Sequence, residues 1–527
     1  MGSVALYHSA FTPPITPLAQ AATQGLAALQ TGQPLTSILE TIRALDLTDV
    51  PELADCLQKD MSTLDAIREG GHPSDTGALT RLFNRIELVR DAEAIHCEGQ
   101  PGKLVNTPVK PLENARDLSL LYSPGVAFPC HAIARDLRFA ERYTNRGVTV
   151  YVISDGSAVL GIGNKGAIGS KPVMEGKAVL YHRFAKLNAV DVTIAQQDPD
   201  KFIERVQDLW PNCPFINLED ITAPGCFRIE SILTGIMSRT PLPTAVFHDD
   251  QHGTATITAA GLENALRVQQ KNHEAARTKL KIVFAGAGAS AIACANMIMT
   301  SLNIERSQII MCDSKGVIRR SRSDYESLHQ TKQAFAQNTD LATLEQALKG
   351  ADVFIGLSAG NTVTEAMIAS MADKPIVFAC ANPDPEISWD LAHEARKSRG
   401  SDLVMATGRS DYPNQVNNVL GFPGIGRGSI DVGARMVTPT MKNATAKALA
   451  RLARQDVPAA LAAMYGGQGK VFGPLSLIPK PFDPRVVPWV ASGVADAAVR
   501  DGVNTRAYNA VTYRDFLNEV FGDHLPG

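Results

Sequence analysis

Two acidic doublets stand where strands would end. Glu219 and Asp220 close an apolar run in "INLEDITAP" (216–224), and Asp249 and Asp250 close another in "VFHDDQHGTATITAAGLENAL" (246–266). Neighbouring side chains on a regular strand point to opposite faces, so Glu219 and Asp220 converge on one target only if the strand stops there and the chain turns. An aspartate just before a helix is often no more than an N-cap. Carboxylates gathered without thiols or an imidazole cluster instead suit a hard divalent cation, Mg²⁺ or Mn²⁺. Repetition of the doublet at two successive strand ends favours the cation.

A second kind of chemistry is written in "KIVFAGAGASAIACANMIMTSL" (281–302). The loop Gly286, Ala287, Gly288, Ala289, Ser290, Ala291 has G-x-G-x-x-A spacing after a strand and opens a helix. The first glycine permits the tight turn, and the second lets a pyrophosphate approach the backbone. The small third residue brings helix close to strand, and the phosphates lie on the helix N-terminus. Asp313 ends the next strand, where an acid bonds the ribose of NAD. Lys315, Arg319 and Arg320 follow it and would meet the 2′-phosphate of NADP, so the cofactor is NAD or NADP with a slight lean to NADP. The bland alternative is a tight turn with no ligand.

"GIGNKG", Gly161 to Gly166, also fits a glycine-loop pattern. Its helix is expected to begin only after a further Gly and Pro172, without the immediate helix N-terminus a pyrophosphate requires, so it reads as a loop over the substrate. Beyond it, Lys177 lies near the expected start of a helix. Taken alone it reads as a solvated surface lysine, because a catalytic base would need burial or a nearby cation to bring its pKa down toward neutrality.

The elements that must hold these residues follow from periodicity. "VTVYVIS", "AVDVTIA" and "FINLED" alternate with helical stretches, and a second series runs through "LKIVFAGAG", "QIIMCDS", "ADVFIGLS", "PIVFACANP" and "DLVMATG". Such alternation gives an α/β fold with two parallel-sheet domains, the second of Rossmann type, with ligands at the carboxyl ends of the strands. The first ninety or so residues read instead as short helices, a helical N-terminal extension that packs on the body or on another subunit, or that senses a ligand. The expected divisions are 1–92 for the extension, 93–247 for a substrate domain, 248–480 for the dinucleotide domain and 481–527 for C-terminal packing helices.

Composition narrows the partners. The chain has 527 residues, 51 basic and 54 acidic, for a net charge of -3. That balance gives no argument for nucleic acid or an anionic membrane. The 8 cysteines show no metal-binding spacing and read as reduced thiols. No apolar run reaches a membrane span, the N-terminus has no cationic leader, and Leu6 stands where a myristoylation motif wants Ser or Thr. A cytoplasmic protein with a small-molecule substrate is expected.

The motifs "LSLLYSPGVAFPC", "SDGSAVLGIGNKGAIGSKPVMEGK", "INLEDITAP", "VFHDDQHGTA", "FACANPDPE", "GRSDYPNQVNNVLGFPGI" and "IPKPFDPR" occur in that order. Together they resemble the malic enzymes, specifically the short bacterial type, over roughly residues 93 to 515. The resemblance implies metal-dependent oxidative decarboxylation of (S)-malate to pyruvate and CO₂ with reduction of NAD(P)⁺, in a homodimer or larger homo-oligomer. By the same resemblance Glu219, Asp220 and Asp250 bind the metal, Lys177 is the base, Tyr122 protonates C3 of the enolate and Asp249 assists the lysine. Asn382 and Asn418 lie at the substrate and nicotinamide. Larger malic enzymes carry an arginine just before the glycine loop to clamp a malate carboxylate. Here Ala158 and Val159 occupy that neighbourhood, leaving Lys165 and Lys171 as candidates. A malolactic-type activity on the same groups, another 2-hydroxy acid as substrate, or a dinucleotide-binding regulator without turnover are the alternatives.

Overall fold

The computed structural model describes residues 16–44, 57, 60–69, 76–97, 102–159, 162–382, 384–464, 472–522 and 525. Gly161 and the N-terminal residues considered for a leader or lipid signal lie outside them. The chain divides into two compact units, 1–106 and 107–527.

In the first unit, α1 (Thr16–Thr31), α2 (Thr36–Ala44), α3 (Met61–Arg68) and α4 (Thr76–Cys97) enclose Leu18, Ala22, Ile42, Leu64, Leu82, Phe83 and Ile86. The extension is helical as expected, with α3 as an additional helix. The helix α4 continues past residue 92 to Cys97.

The second unit holds two sheets. Exposed α5 (Ala115–Leu121) and α6 (Ala127–Arg135) precede β1 (Thr149–Ser154). Then come α7 (Gly166–Ala185), β2 (Asn188–Thr193), α8 (Pro199–Gln207), β3 (Phe215–Leu218), α9 (Gly225–Met237) and β4 (Ala245–His248). These strands form a parallel sheet of order β2-β1-β3-β4. The helix α10 (Asp249–Val268) leads to β5 (Ile282–Ala285), α11 (Ala289–Leu302), β6 (Ile309–Asp313), β7 (Gly316–Val317), β8 (Val353–Gly356), β9 (Ile376–Ala379) and β10 (Val404–Thr407). Their order is β10-β9-β8-β5-β6-β7, parallel except for β7. Strand order reverses between β5 and β8, the crevice where a Rossmann sheet takes its ligand. Both four-residue strands are fully buried, as strands covered on both faces must be.

After β10 come α12 (Phe422–Asp431), α13 (Pro439–Leu452), α14 (Val486–Arg500) and α15 (Ala510–Phe521). The helix α14 packs on α12 and α13, and α13 packs on α10. Among the described residues no helix is long and apolar enough to cross a membrane.

One helix start differs from its expected place. α7 begins at Gly166 itself, and Pro172 sits inside it. The proline does not open the helix, so Lys177 lies in mid-helix rather than near its start. It falls on the buried stripe Ser170, Met174, Lys177, Ala178, Tyr181 and Ala185, spaced for one helical face, and this excludes the solvated-surface reading.

Candidate functional site

The two doublets meet because β3 and β4 are adjacent and in register. Leu218 pairs with His248, so Glu219 emerges beside Asp249. β3 stops at Leu218, and Asp220 takes the left-handed conformation (φ 54°), which Asp tolerates better than most residues. This turn lets neighbouring carboxylates face one target. Oxygens of Glu219, Asp220 and Asp250 all lie within 4.8 Å of one another. The backbone N–H of Asp220 donates to Asp250 Oδ2 at 2.7 Å. Three hard oxygen donors at that spacing fit a divalent cation such as Mg²⁺ or Mn²⁺. Neither Asp249 nor Asp250 is an N-cap: both lie in the first turn of α10, whose N-cap position is His248.

Lys177 points into this cluster from α7. Its Nζ lies 2.6 Å from Asp249 Oδ2 and 2.7 Å from Glu219 Oε1, and 4.4 Å from the centre of the Phe422 ring. Burial opposes its charge, but the two carboxylates outweigh burial and hold the ammonium protonated. Burial also pushes Glu219 well above the usual carboxylate range; Lys177 opposes the rise, while Asp250, Asp249 and Asp220 add to it. Four carboxyls against one ammonium leave the centre short of positive charge.

Supporting groups orient the pair. Asn418 Nδ2 donates to Asp249 Oδ2 at 3.2 Å and its Oδ1 accepts from Thr254 at 3.0 Å. Asn217 donates to Glu219 Oε2 at 2.7 Å and accepts from the Tyr181 hydroxyl at 2.9 Å. Asn217, Tyr181 and Phe422 did not stand out in the sequence, since each is a lone residue in an apolar segment.

The dinucleotide loop adjoins the cluster. Gly286 has φ 114°, and a Cβ there would come 2.5 Å from the Leu357 carbonyl oxygen, so only glycine fits. A Cβ at Gly288 would meet nothing within 4 Å, leaving open space before the N-terminus of α11, where Ala289, Ser290 and Ala291 follow. That opening fits a dinucleotide pyrophosphate. Ala287 is buried in the turn. Ser290 Oγ donates to the Asp250 carbonyl at 2.6 Å and ties this helix to the carboxylate cluster. Asn382 lies against Gly408, at which a Cβ would come 2.9 Å from its amide atoms. Buried Glu386 braces that region by accepting from the Ser358 and Ala381 N–H groups, each at 3.0 Å.

Other expected groups are placed differently. Asp313 is not open to a ribose: Arg322 lays two nitrogens on its two oxygens at 2.8 Å each. Burial raises the Asp313 carboxyl, but the Arg322 bonds prevail and hold it below its ordinary value. Arg322 also reaches Asp324 at 2.6 Å, and Lys315 Nζ meets Asp324 at 2.9 Å. Arg319 turns to the Asp340 carbonyl at 3.4 Å. Arg320 uses its backbone N–H on the Gln337 carbonyl at 3.1 Å. Arg322 was not singled out in the sequence because nothing in its spacing shows that β7 folds back. Lys171 is paired with Asp191 and Glu175, so binding a substrate carboxylate would require it to exchange those partners, while Lys165 stands exposed before α7. Tyr122 is 70% exposed, and no hydrogen bond among the described residues joins it to the cluster.

Two family models match: the malic enzyme N-terminal domain over residues 101–198 and the malic enzyme NAD binding domain over residues 251–465. The NADP-dependent malic enzyme of Halomonas elongata is 50% identical over 430 residues, 81% of this chain and 97% of the relative. That of Escherichia coli is 48% identical over 421 residues, 80% of this chain but only 53% of the relative, so the chain spans about half of that longer protein. The crystal structure of malic enzyme from Pyrococcus horikoshii superposes with TM-score 0.71 at 34% identity, covering 82% of this chain and 96% of that one. With both domain models matched in order and nearly the whole Halomonas relative aligned, the chain belongs to the malic enzyme family.

Proposed function

We propose that the protein oxidatively decarboxylates (S)-malate to pyruvate and CO₂ while reducing NADP⁺ in preference to NAD⁺. The observation that carries this reading is the junction of three centres: the carboxylate cluster, buried Lys177, and a dinucleotide loop tied to Asp250 through Ser290. A divalent cation held by Glu219, Asp220 and Asp250 would act as a Lewis acid on the substrate C2 oxygen and compete with Lys177 for Glu219. Drawing Glu219 away would remove one of the two carboxylates that keep Lys177 protonated and so favour release of its proton to solvent; the neutral amine would then accept the C2 hydroxyl proton as hydride leaves C2 for the nicotinamide. Asp249 and Asn418 hold its nitrogen in place. The resulting 2-oxo acid loses its C4 carboxylate as CO₂, leaving the enolate of pyruvate, which needs a proton at C3, the role of Tyr122. The NADP preference rests on Arg322, which neutralises Asp313 and offers a guanidinium fork that matches a 2′-phosphate.

Tyr122 reaches such a site from a second copy. Leu118, Leu120, Leu121, Val126 and Phe128 are exposed by 53, 59, 44, 40 and 70%, and α5 and α6 bury no residue. An apolar surface this dense marks an interaction face, and a homodimer would cover it. Lys165 is the proposed partner for the substrate carboxylate.

Near-ultraviolet absorbance of reduced nicotinamide, with malate, Mn²⁺ and each cofactor in turn, tests the activity. A chelator-sensitive rise with pyruvate as product, faster with NADP⁺, is expected. No rise from folded, Mn²⁺-loaded protein would overturn the reading, and lactate as product would move it to malolactic chemistry. Mixing Tyr122→Phe and Lys177→Ala proteins tests the shared site: subunit exchange restores activity if Tyr122 acts across the dimer, and inactive mixed dimers would refute that arrangement.

A further inference from the structure

The helices α13 and α14 touch through small residues: a Cβ at Gly493 would lie 3.6 to 3.9 Å from Ala444 and Ala448 atoms. Over that contact lies a cavity of about 510 Å³, lined in part by Ala444, Ala448 and Gly493 themselves. One face of α13 supplies Asn443, Lys447 and Arg451, and one face of α14 supplies Trp489, Asp496 and Arg500, with Arg514 of α15 at the rim. Four cations and one acid therefore share one concavity in a chain whose net charge is -3. The acid is already engaged, accepting from the Tyr508 hydroxyl.

Among the described residues no carboxylate forms an ion pair with Lys447, Arg451 or Arg500, whereas nearby Arg427, Arg454 and Arg485 each have one. Position in the last turn of a helix accounts for Arg451 and Arg500 through the helix dipole. It does not account for Lys447, which stands one turn before Arg451 at a like-charge spacing that destabilises a helix. Concave walls concentrate the field of such charges, and guanidinium forks match phosphoryl oxygens.

We propose that the cleft between α13 and α14 binds a small molecule carrying a phosphoryl or pyrophosphoryl group. Lys447, Arg451 and Arg500 hold the anion, and the Trp489 ring walls the less polar part of the ligand. The cleft is separate from the carboxylate cluster and from the dinucleotide loop, and the proposal stands whether or not the chain turns over malate.

Calorimetric titration of the full chain with inorganic pyrophosphate and no dinucleotide tests it, with sodium chloride matching ionic strength and an Arg451→Ala/Arg500→Ala protein separating binding in the cleft from binding at the dinucleotide loop. Saturable binding is expected, weakened about tenfold for each guanidinium removed in Arg451→Ala and Arg500→Ala. Trp489→Phe should retain the binding heat while losing the accompanying change in tryptophan fluorescence. Absence of saturable binding would overturn the proposal, as would equal binding by wild type and an Arg451→Ala/Arg500→Ala protein with unchanged circular dichroism.

Discussion

If the proposed preference for NADP⁺ rests on Arg322, Arg322→Ala should leave an enzyme that scarcely discriminates between the two cofactors. In the structure the Arg322 side chain is only 9% exposed and spans Asp313 and Asp324. On binding NADP⁺, its fork would exchange part of that contact for the 2′-phosphate. Each charge-assisted hydrogen bond is worth about 1.5–3 kcal/mol, partly offset by the bonds given up to Asp313. Truncation also leaves the Asp313 carboxylate facing the phosphate as a like charge. A net loss of about 3 kcal/mol corresponds to a roughly 150-fold fall in kcat/KM for NADP⁺. With NAD⁺, the freed Asp313 gains access to the ribose hydroxyls, so kcat/KM should hold or rise. Arg322→Lys keeps the charge without the fork and should fall between. Initial rates with both cofactors give the ratio directly. Equal losses with NAD⁺ and NADP⁺ would show that Arg322 only braces the fold, and an unchanged ratio would refute its contact with the phosphate.

Two further outcomes follow from buried charges. Glu219→Gln removes the negative charge of one of three converging ligands, so Mn²⁺ affinity measured by electron paramagnetic resonance should fall at least about tenfold; unchanged affinity would remove Glu219 from the metal set. Asp402→Ala strips the carboxylate from fully buried Arg396, bonded through two nitrogens at 2.9 Å each, and should cost about 3 kcal/mol in urea unfolding. Burial raises the Asp402 carboxyl, but Arg396 outweighs it and the folded value lies below the ordinary one. Its stabilisation is thus complete above the unfolded carboxylate pKa of about 4 and is lost as pH falls through the lower folded value. The variant should lack that part of the acid sensitivity; identical acid unfolding curves would contradict it.

The local signals in the chain were reliable where chemistry depends on neighbours in sequence. Apolar runs ending in polar loops located β1, β3, β5, β6, β8, β9 and β10, because a strand covered on both faces must be apolar throughout. The Gly286 to Ala291 loop was equally legible, since its turn, glycine and helix start lie within six consecutive residues. Pro172 misled, because a proline marks a helix start only in its first turn, and here the helix had begun at Gly166.

Other features depended on distances that no spacing encodes. The adjacency of β3 and β4 brought Glu219 beside Asp249, and the left-handed turn at Asp220 aimed the doublet. Burial of the α7 stripe turned Lys177 from a surface lysine into an ion pair with two carboxylates. The return of β7 on β6 placed Arg322 on Asp313, nine positions away. By itself the sequence determined which residues could perform chemistry and which strands carry them, because residue type and periodicity are local properties. Only the tertiary structure decided which charges pair, since pairing is set by strand order, helix rotation and burial, and these are properties of the packed chain.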